Sequence, residues 1–174
     1  MSILKNNAAM KSSILLLCYI FLTTYSCKKV EDVATTNTSL IGKWKLTGVF
    51  LSDALDSPCS GNTPSRDITI EFTNKPSGVG NTLSLNGQST VNLYFANYEA
   101  NTDGTIKITM LGSTKIAGSP EMMQCESRLF TLLQTSEGYK VVQVDTNPAK
   151  IILQLGIFRT GTRDAGTYLV FEKI

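Results

Sequence analysis

The chain has 174 residues, 42% hydrophobic and 17% charged, which is enough to bury the core of one domain. Its formal charge of +2 resides in Lys5 and Lys11. Apart from those two, the remaining 14 of 16 Lys and Arg balance 14 Asp and Glu. A neutral chain with no basic block lacks the electrostatic footprint of a nucleic-acid binder or of a polybasic membrane-surface protein. The absence of histidine excludes Ser-His-Asp and Cys-His relays and imidazole-built zinc sites.

Lys5 and Lys11 form a positive region ahead of the apolar run Ile14 to Leu22. That run is about half the ~20 residues a spanning helix needs, so it has the build of a secretory signal. Thr23-Thr24-Tyr25-Ser26 then leads into Cys27. The arrangement resembles a bacterial lipoprotein signal, in which the cysteine thiol is acylated and becomes the new N-terminus. Residues 1–26 are then a signal peptide and Cys27 the lipid attachment site. Ordinary cleavage leaving Cys27 unmodified, or an uncleaved anchor, are the competing readings. Residues 27–39 are polar and low in complexity, the composition of a flexible tether ahead of a domain at 40–174. Lys29-Val30-Glu31-Asp32 resembles the acidic surface-export signals of some Gram-negative lipoproteins. The expected location is the cell envelope, lipid-anchored at the outer membrane.

Alternation of apolar and polar residues from Lys43 through Leu51 predicts a first strand. Ser52 to Arg66 reads as a loop, whose Asp53 and Asp56 match no calcium-loop spacing. Asp67 to Phe72 alternates cleanly, with Ile68, Ile70 and Phe72 on one face. After a turn over Asn74 to Asn81 come a strand with Leu83 and Leu85 inward and another with Val91, Leu93 and Phe95 inward, Asn92 and Tyr94 facing out. Asn101-Thr102-Asp103-Gly104 is a hairpin turn, and Ile106, Ile108 and Met110 point inward on the returning strand.

Ser119-Pro120-Glu121 has the chemistry of a helix start, with a hydroxyl cap, proline in the first turn and an acid at the positive dipole end. Met122, Cys125, Leu129, Leu132 and Leu133 fall at helical spacing, with Glu126 and Arg128 off that stripe. A helix is expected over about Pro120–Gln134. Strands follow at Tyr139 to Val144, Lys150 to Leu155 and Thr167 to Glu172, with a polar connection over Arg159 to Gly166. The chain is therefore mainly β with one helix.

With Cys18 in the signal and Cys27 taken by lipid, the exported domain keeps Cys59 and Cys125. In an oxidising compartment two cysteines point to one disulfide, the alternative being two separate buried thiols.

Three passages together resemble the META domain, the HslJ-like family of bacterial envelope proteins. They are the tryptophan-centred opening Gly42-Lys43-Trp44-Lys45-Leu46; Thr90-Val91-Asn92 through Tyr98 with Asp103-Gly104-Thr105-Ile106; and Thr114 to Pro120 followed by Glu126 and Leu129 to Leu133. The resemblance implies an antiparallel sheet curled into a partly open barrel with one packed helix. It associates the chain with stress and envelope physiology but supplies no mechanism. Family members often carry a cysteine in each of the last two passages, where this chain has Val91 and Gly118. Their joint absence fits positions that pair in other members. Gly42-x-Trp44 also resembles the opening of lipocalin-like proteins.

No cofactor, metal or catalytic residue is expected. The first reading is a non-enzymatic envelope lipoprotein with a structural or interaction role, whose partners are a membrane, through its lipid, and no nucleic acid. The alternative is a lipocalin-like carrier of a small hydrophobic ligand or lipid, its cavity lined by Trp44, Leu46, Ile68, Ile70, Phe72, Leu93, Phe95 and Ile108.

Overall fold

The computed structural model describes residues 40–59, 64, 66–144, 148–160 and 165–174, all within the compact unit Asp32–Ile174. The expected signal, Cys27 and the expected tether lie outside the described residues. Among the described residues the elements follow in chain order: β1 (Gly42–Leu51), β2 (Ala54–Asp56), β3 (Thr69–Pro76), β4 (Leu83–Gln88), β5 (Leu93–Ala100) and β6 (Ile106–Ser113). Helix α1 (Pro120–Gln134), β7 (Gly138–Val144), β8 (Lys150–Phe158) and β9 (Gly166–Lys173) complete the set.

The sheet is antiparallel, in the order β6-β5-β4-β3-β1-β9-β8-β7, with β2 paired to β1. It curls through 195° as a half-barrel. Its two edges touch at one corner, where Thr105 bridges Gly138. There the Ile106 amide donates to Glu137 O at 3.0 Å and the Tyr139 amide to Gly104 O at 2.8 Å. The Asn101–Thr105 turn makes that corner possible, since Gly104 takes φ 85°, which a Cβ would resist. Helix α1 connects the two edge strands, β6 and β7, and packs against β6 and β8.

The concave side is filled by side chains. Trp44, Phe72, Tyr94, Tyr98, Tyr139 and Phe171 are all buried, among Ile70, Leu85, Leu153, Leu155 and Leu169. Phe72 meets Tyr98 edge-on at 5.0 Å, and Tyr94 meets Phe130 of the helix at 5.4 Å. Such pairs add about 0.5–1.5 kcal/mol each beyond the area they bury. The Trp44 indole donates to Leu40 O at 2.9 Å, so the opening tryptophan pins the chain's entry into β1.

The strand over residues 93–100 has the opposite phase from the sequence reading. Leu93 and Phe95 point outward, 56% and 59% exposed, while Asn92, Tyr94, Ala96 and Tyr98 point in. Both phases of this stretch are apolar, so alternation alone does not choose between them. The tyrosine hydroxyls decide it, donating across the interior to Thr69 O at 2.9 Å and Thr73 O at 2.7 Å. A one-residue slip would flip every side chain and forfeit both bonds.

Met110 also differs, being 67% exposed rather than inward. Phe95 pairs with Gly112 and Asn97 with Thr109, so Met110 and Leu111 together oppose Ala96 in a bulge. Met110 sits there at φ 52°, in the left-handed region. The loop expected after β1 contains β2, which folds back so that Leu51 pairs with Ala54. Three residues are too few to show a period. Gly48 permits this close return, since a Cβ would lie 2.7 Å from Leu55 Cδ1.

Candidate functional site

The polar residues of the second and third sequence passages converge at one end of the half-barrel. Ser89 to Asn92 form the connection between β4 and β5, closed by the Ser89 amide donating to Asn92 O at 2.8 Å. Ser89, Thr90 and Asn92 are buried there, and helix α1 delivers Glu126, 5% exposed, to meet them. The helix starts as its sequence dictates. Ser119 caps it by accepting from the Met122 amide at 3.4 Å, with Pro120 in the first turn. Glu121 follows, its carboxyl held below the usual range by its own backbone amide and then by the Ser119 hydroxyl.

Glu126 was expected off the buried stripe. It lies on it, four residues after Met122 and three before Leu129, the spacing of one helix face. Its Oε2 accepts from the Asn92 amide at 3.0 Å and from the Ser89 hydroxyl, and its Oε1 accepts from Asn92 Nδ2 at 2.8 Å. Asn92 Oδ1 in turn accepts from Thr114 Oγ1 at 2.8 Å and the Ile116 amide at 2.7 Å. Thr90 Oγ1 donates to Met122 O at 2.8 Å. Two side chains thus tie together the β4–β5 connection, the segment after β6 and the helix. Among the described residues no buried side-chain polar atom lacks a hydrogen-bond partner. The cluster is closed on itself and ties these three segments together.

The second constraint is covalent. Cys59, after β2, and Cys125, in the second turn of α1, form a disulfide with Cα atoms 4.9 Å apart. It holds the helix to the chain leaving β2, as expected from the cysteine count. Arg128 reinforces this from the next turn, with a guanidinium nitrogen 3.6 Å from Asp56 Oδ2. An open groove of about 460 Å³ runs along this flank of the helix, past Cys59, Gln124, Cys125, Arg128, Thr131 and Leu132. A second of about 220 Å³ lies on the other side of the bridge, by Pro64, Thr90 and Met122. Among the described residues no three of His, Cys, Asp and Glu gather as a metal site would require. No helix there is long and apolar enough to cross a membrane.

Val91 and Gly118, where family cysteines are often found, are neighbours. A Cβ built on Gly118 would lie 2.5 Å from Val91 Cγ2 and 3.5 Å from Val91 Cγ1. A family model described as META domain matches residues 38–155. The chain belongs to the META domain family. The matched range ends inside β8, but β9 lies between β1 and β8 and completes the sheet. Among solved structures, the NMR structure of a protein from Burkholderia xenovorans is similar in fold. It is 21% identical with a TM-score of 0.50, over 79% of this chain and 85% of that one. No curated protein matches the chain.

Asn92 and Glu126 both lie within the matched range, where they join helix α1 to the β4–β5 connection. The sequence signal for them was a carboxylate and an amide interrupting two apolar runs, a pattern that in a buried face demands a partner.

Proposed function

We propose that this chain is a lipid-anchored lipoprotein of the Gram-negative outer membrane, in which the META domain has a non-enzymatic structural or interaction role played from its outer surface. One observation carries the surface role: the polar groups of the family passages are consumed inside the fold. Glu126 and Asn92 satisfy each other and the surrounding backbone, and rings from β1, β3, β5, β7 and β9 fill the concave side. What remains for recognition is the exterior. The anchor rests on the sequence, where a short apolar run and small residues lead to Cys27. Each acyl methylene buried contributes about 0.8 kcal/mol, so two or three chains would hold the protein on a membrane.

Replacing Cys27 with Ser and fractionating cells tests this reading. The protein should leave the detergent-extracted membrane for the soluble or uncleaved fraction, whereas unchanged membrane retention would overturn it.

The groove beside the disulfide favours a second reading, a carrier. Its volume of about 460 Å³ is in the range of small-molecule sites. Gln124, Arg128 and Thr131 would suit a small polar ligand better than a lipid chain. Native mass spectrometry of protein extracted from its own membrane separates the two, because a carrier would retain its ligand.

A further inference from the structure

We propose that the outer face of the β5–β6 edge, built on Leu93, Phe95 and Met110, rests on the phospholipid surface in which the protein is anchored. The inference depends on the lipid at Cys27 proposed above.

Four features mark this face. Leu93, Phe95 and Met110 are 56%, 59% and 67% exposed on two neighbouring strands, and Ile116, just beyond β6, is 59% exposed. The phase of β5 turns positions 93 and 95 outward, but it does not require apolar residues there, and Met110 is turned outward by a different device. Ile106 and Ile108 point into the core, and regular alternation would carry Met110 in after them. The bulge opposite Ala96 instead turns it outward through a left-handed backbone that only glycine adopts freely. Gly112 completes the surface, because the Phe95 ring lies across it. A Cβ at Gly112 would come within 2.8 Å of Phe95 Cζ. The next strand inward is polar on this side, with Gln88 and Asn86 beside Leu93 and Phe95. The apolar strip is therefore bounded.

The attachment of the chain, whose exit point lies nearer this strip than Leu55, points to the anchoring bilayer as the occupant. Leu40 is fully buried and fixes the point from which residues 28–39 lead back to Cys27. Gly42 pairs with Phe72, Phe72 with Leu85 and Leu85 with Ala96, so the start of β1 is level with Phe95. Three strand spacings separate them, roughly 14 Å. Residues 28–39 span at most about 40 Å. An acylated Cys27 in a bilayer therefore permits this edge to meet the same bilayer. Lys115, next to Ile116 in sequence, is exposed and free of the core, a cation available to anionic headgroups. Leu55, 62% exposed, is an internal control. It pairs with Phe50 near the far end of β1, roughly 25–30 Å along the strand from Gly42.

The test uses the full-length acylated protein, reconstituted in phosphatidylethanolamine–phosphatidylglycerol vesicles carrying a diazirine-bearing phospholipid. After photolysis, peptides containing Leu93, Phe95 and Met110 should carry severalfold more label than the Leu55 peptide. The variant with Leu93→Ser, Phe95→Ser and Met110→Ser should lose that label while staying on the vesicles through its lipid. An acylated protein labelled equally at Leu55 and at the strip, or at neither, overturns the inference alone. An unacylated Cys27 overturns the anchored reading and this inference together. Crosslinks joining two copies through these residues would assign the strip to a second copy and equally overturn it.

Discussion

Glu126 and Asn92 meet twice: the carboxylate takes the Asn92 backbone amide at 3.0 Å and its side-chain amide at 2.8 Å, joining helix α1 to the start of β5. Both residues are buried, so removing the acceptor strips the cluster of its charge-assisted bonds. It leaves the Asn92 amide with Ser89 Oγ at 3.0 Å, Asn92 Nδ2 with Ile116 O at 3.2 Å and the Ser89 hydroxyl with Asn92 O at 2.9 Å. Glu126→Ala should cost about 3 kcal/mol, read as a lower urea midpoint. Glu126→Gln keeps one acceptor oxygen and should lose less. An alanine variant as stable as the parent would show that the cluster is not a staple.

The disulfide acts on the same helix. It closes a separation of 66 residues, for which the chain-entropy model gives about 4 kcal/mol, with measured values often lower. The Cys59→Ala, Cys125→Ala double variant should melt earlier than the oxidised parent and match the reduced parent. Equal stability of oxidised and reduced protein would contradict this.

The Val91–Gly118 contact makes a constructive prediction. Gly118 is not among the positive-φ residues, so a side chain is compatible with its backbone. A cysteine at position 91 also removes the γ-methyl that a Gly118 Cβ would strike. Val91→Cys with Gly118→Cys should oxidise to a second bridge, since a disulfide needs Cβ atoms about 3.5–4.5 Å apart. Thiol titration checks it, and two persistently free thiols in the folded double variant would refute it.

Alkaline pH should unfold the domain through its interior tyrosines. Burial pushes the Tyr98 phenol up to about 12, with a smaller push from Tyr139, and burial raises Tyr94 as well. Their unfolded phenols ionise near 10. A folded pKa above the unfolded one means that the native state holds its proton more tightly. This contribution to stability is complete below about pH 10 and is lost as pH rises through 12. Tyrosinate absorbance and far-UV circular dichroism should therefore change together above pH 10. Ionisation of Tyr94 and Tyr98 near pH 10 in a folded protein would contradict the burial argument.

Most elements were legible because their signals are local. Ser119-Pro120-Glu121 set the start of α1, Asn101 to Gly104 set a hairpin, and alternation set β1 and β3. The misread positions needed information from elsewhere in the fold. The phase of β5 is chosen by Tyr94 and Tyr98 reaching carbonyls on β3, which are 25 residues away in sequence. Met110 is set by a bulge that shows only in the pairing of β6 with β5. Glu126 reads as a surface acid until Asn92 is known to face it. The disulfide was legible for the opposite reason, since a domain with two cysteines, Cys59 and Cys125, offers one pairing.

The anchored reading meets its most direct measurement in the intact mass of the protein extracted from its own membrane. The expected species begins at Cys27 and carries the added mass of a diacylglyceryl group, with or without a further acyl chain. A mature chain with unmodified Cys27, or one retaining residues 1–26, would contradict it.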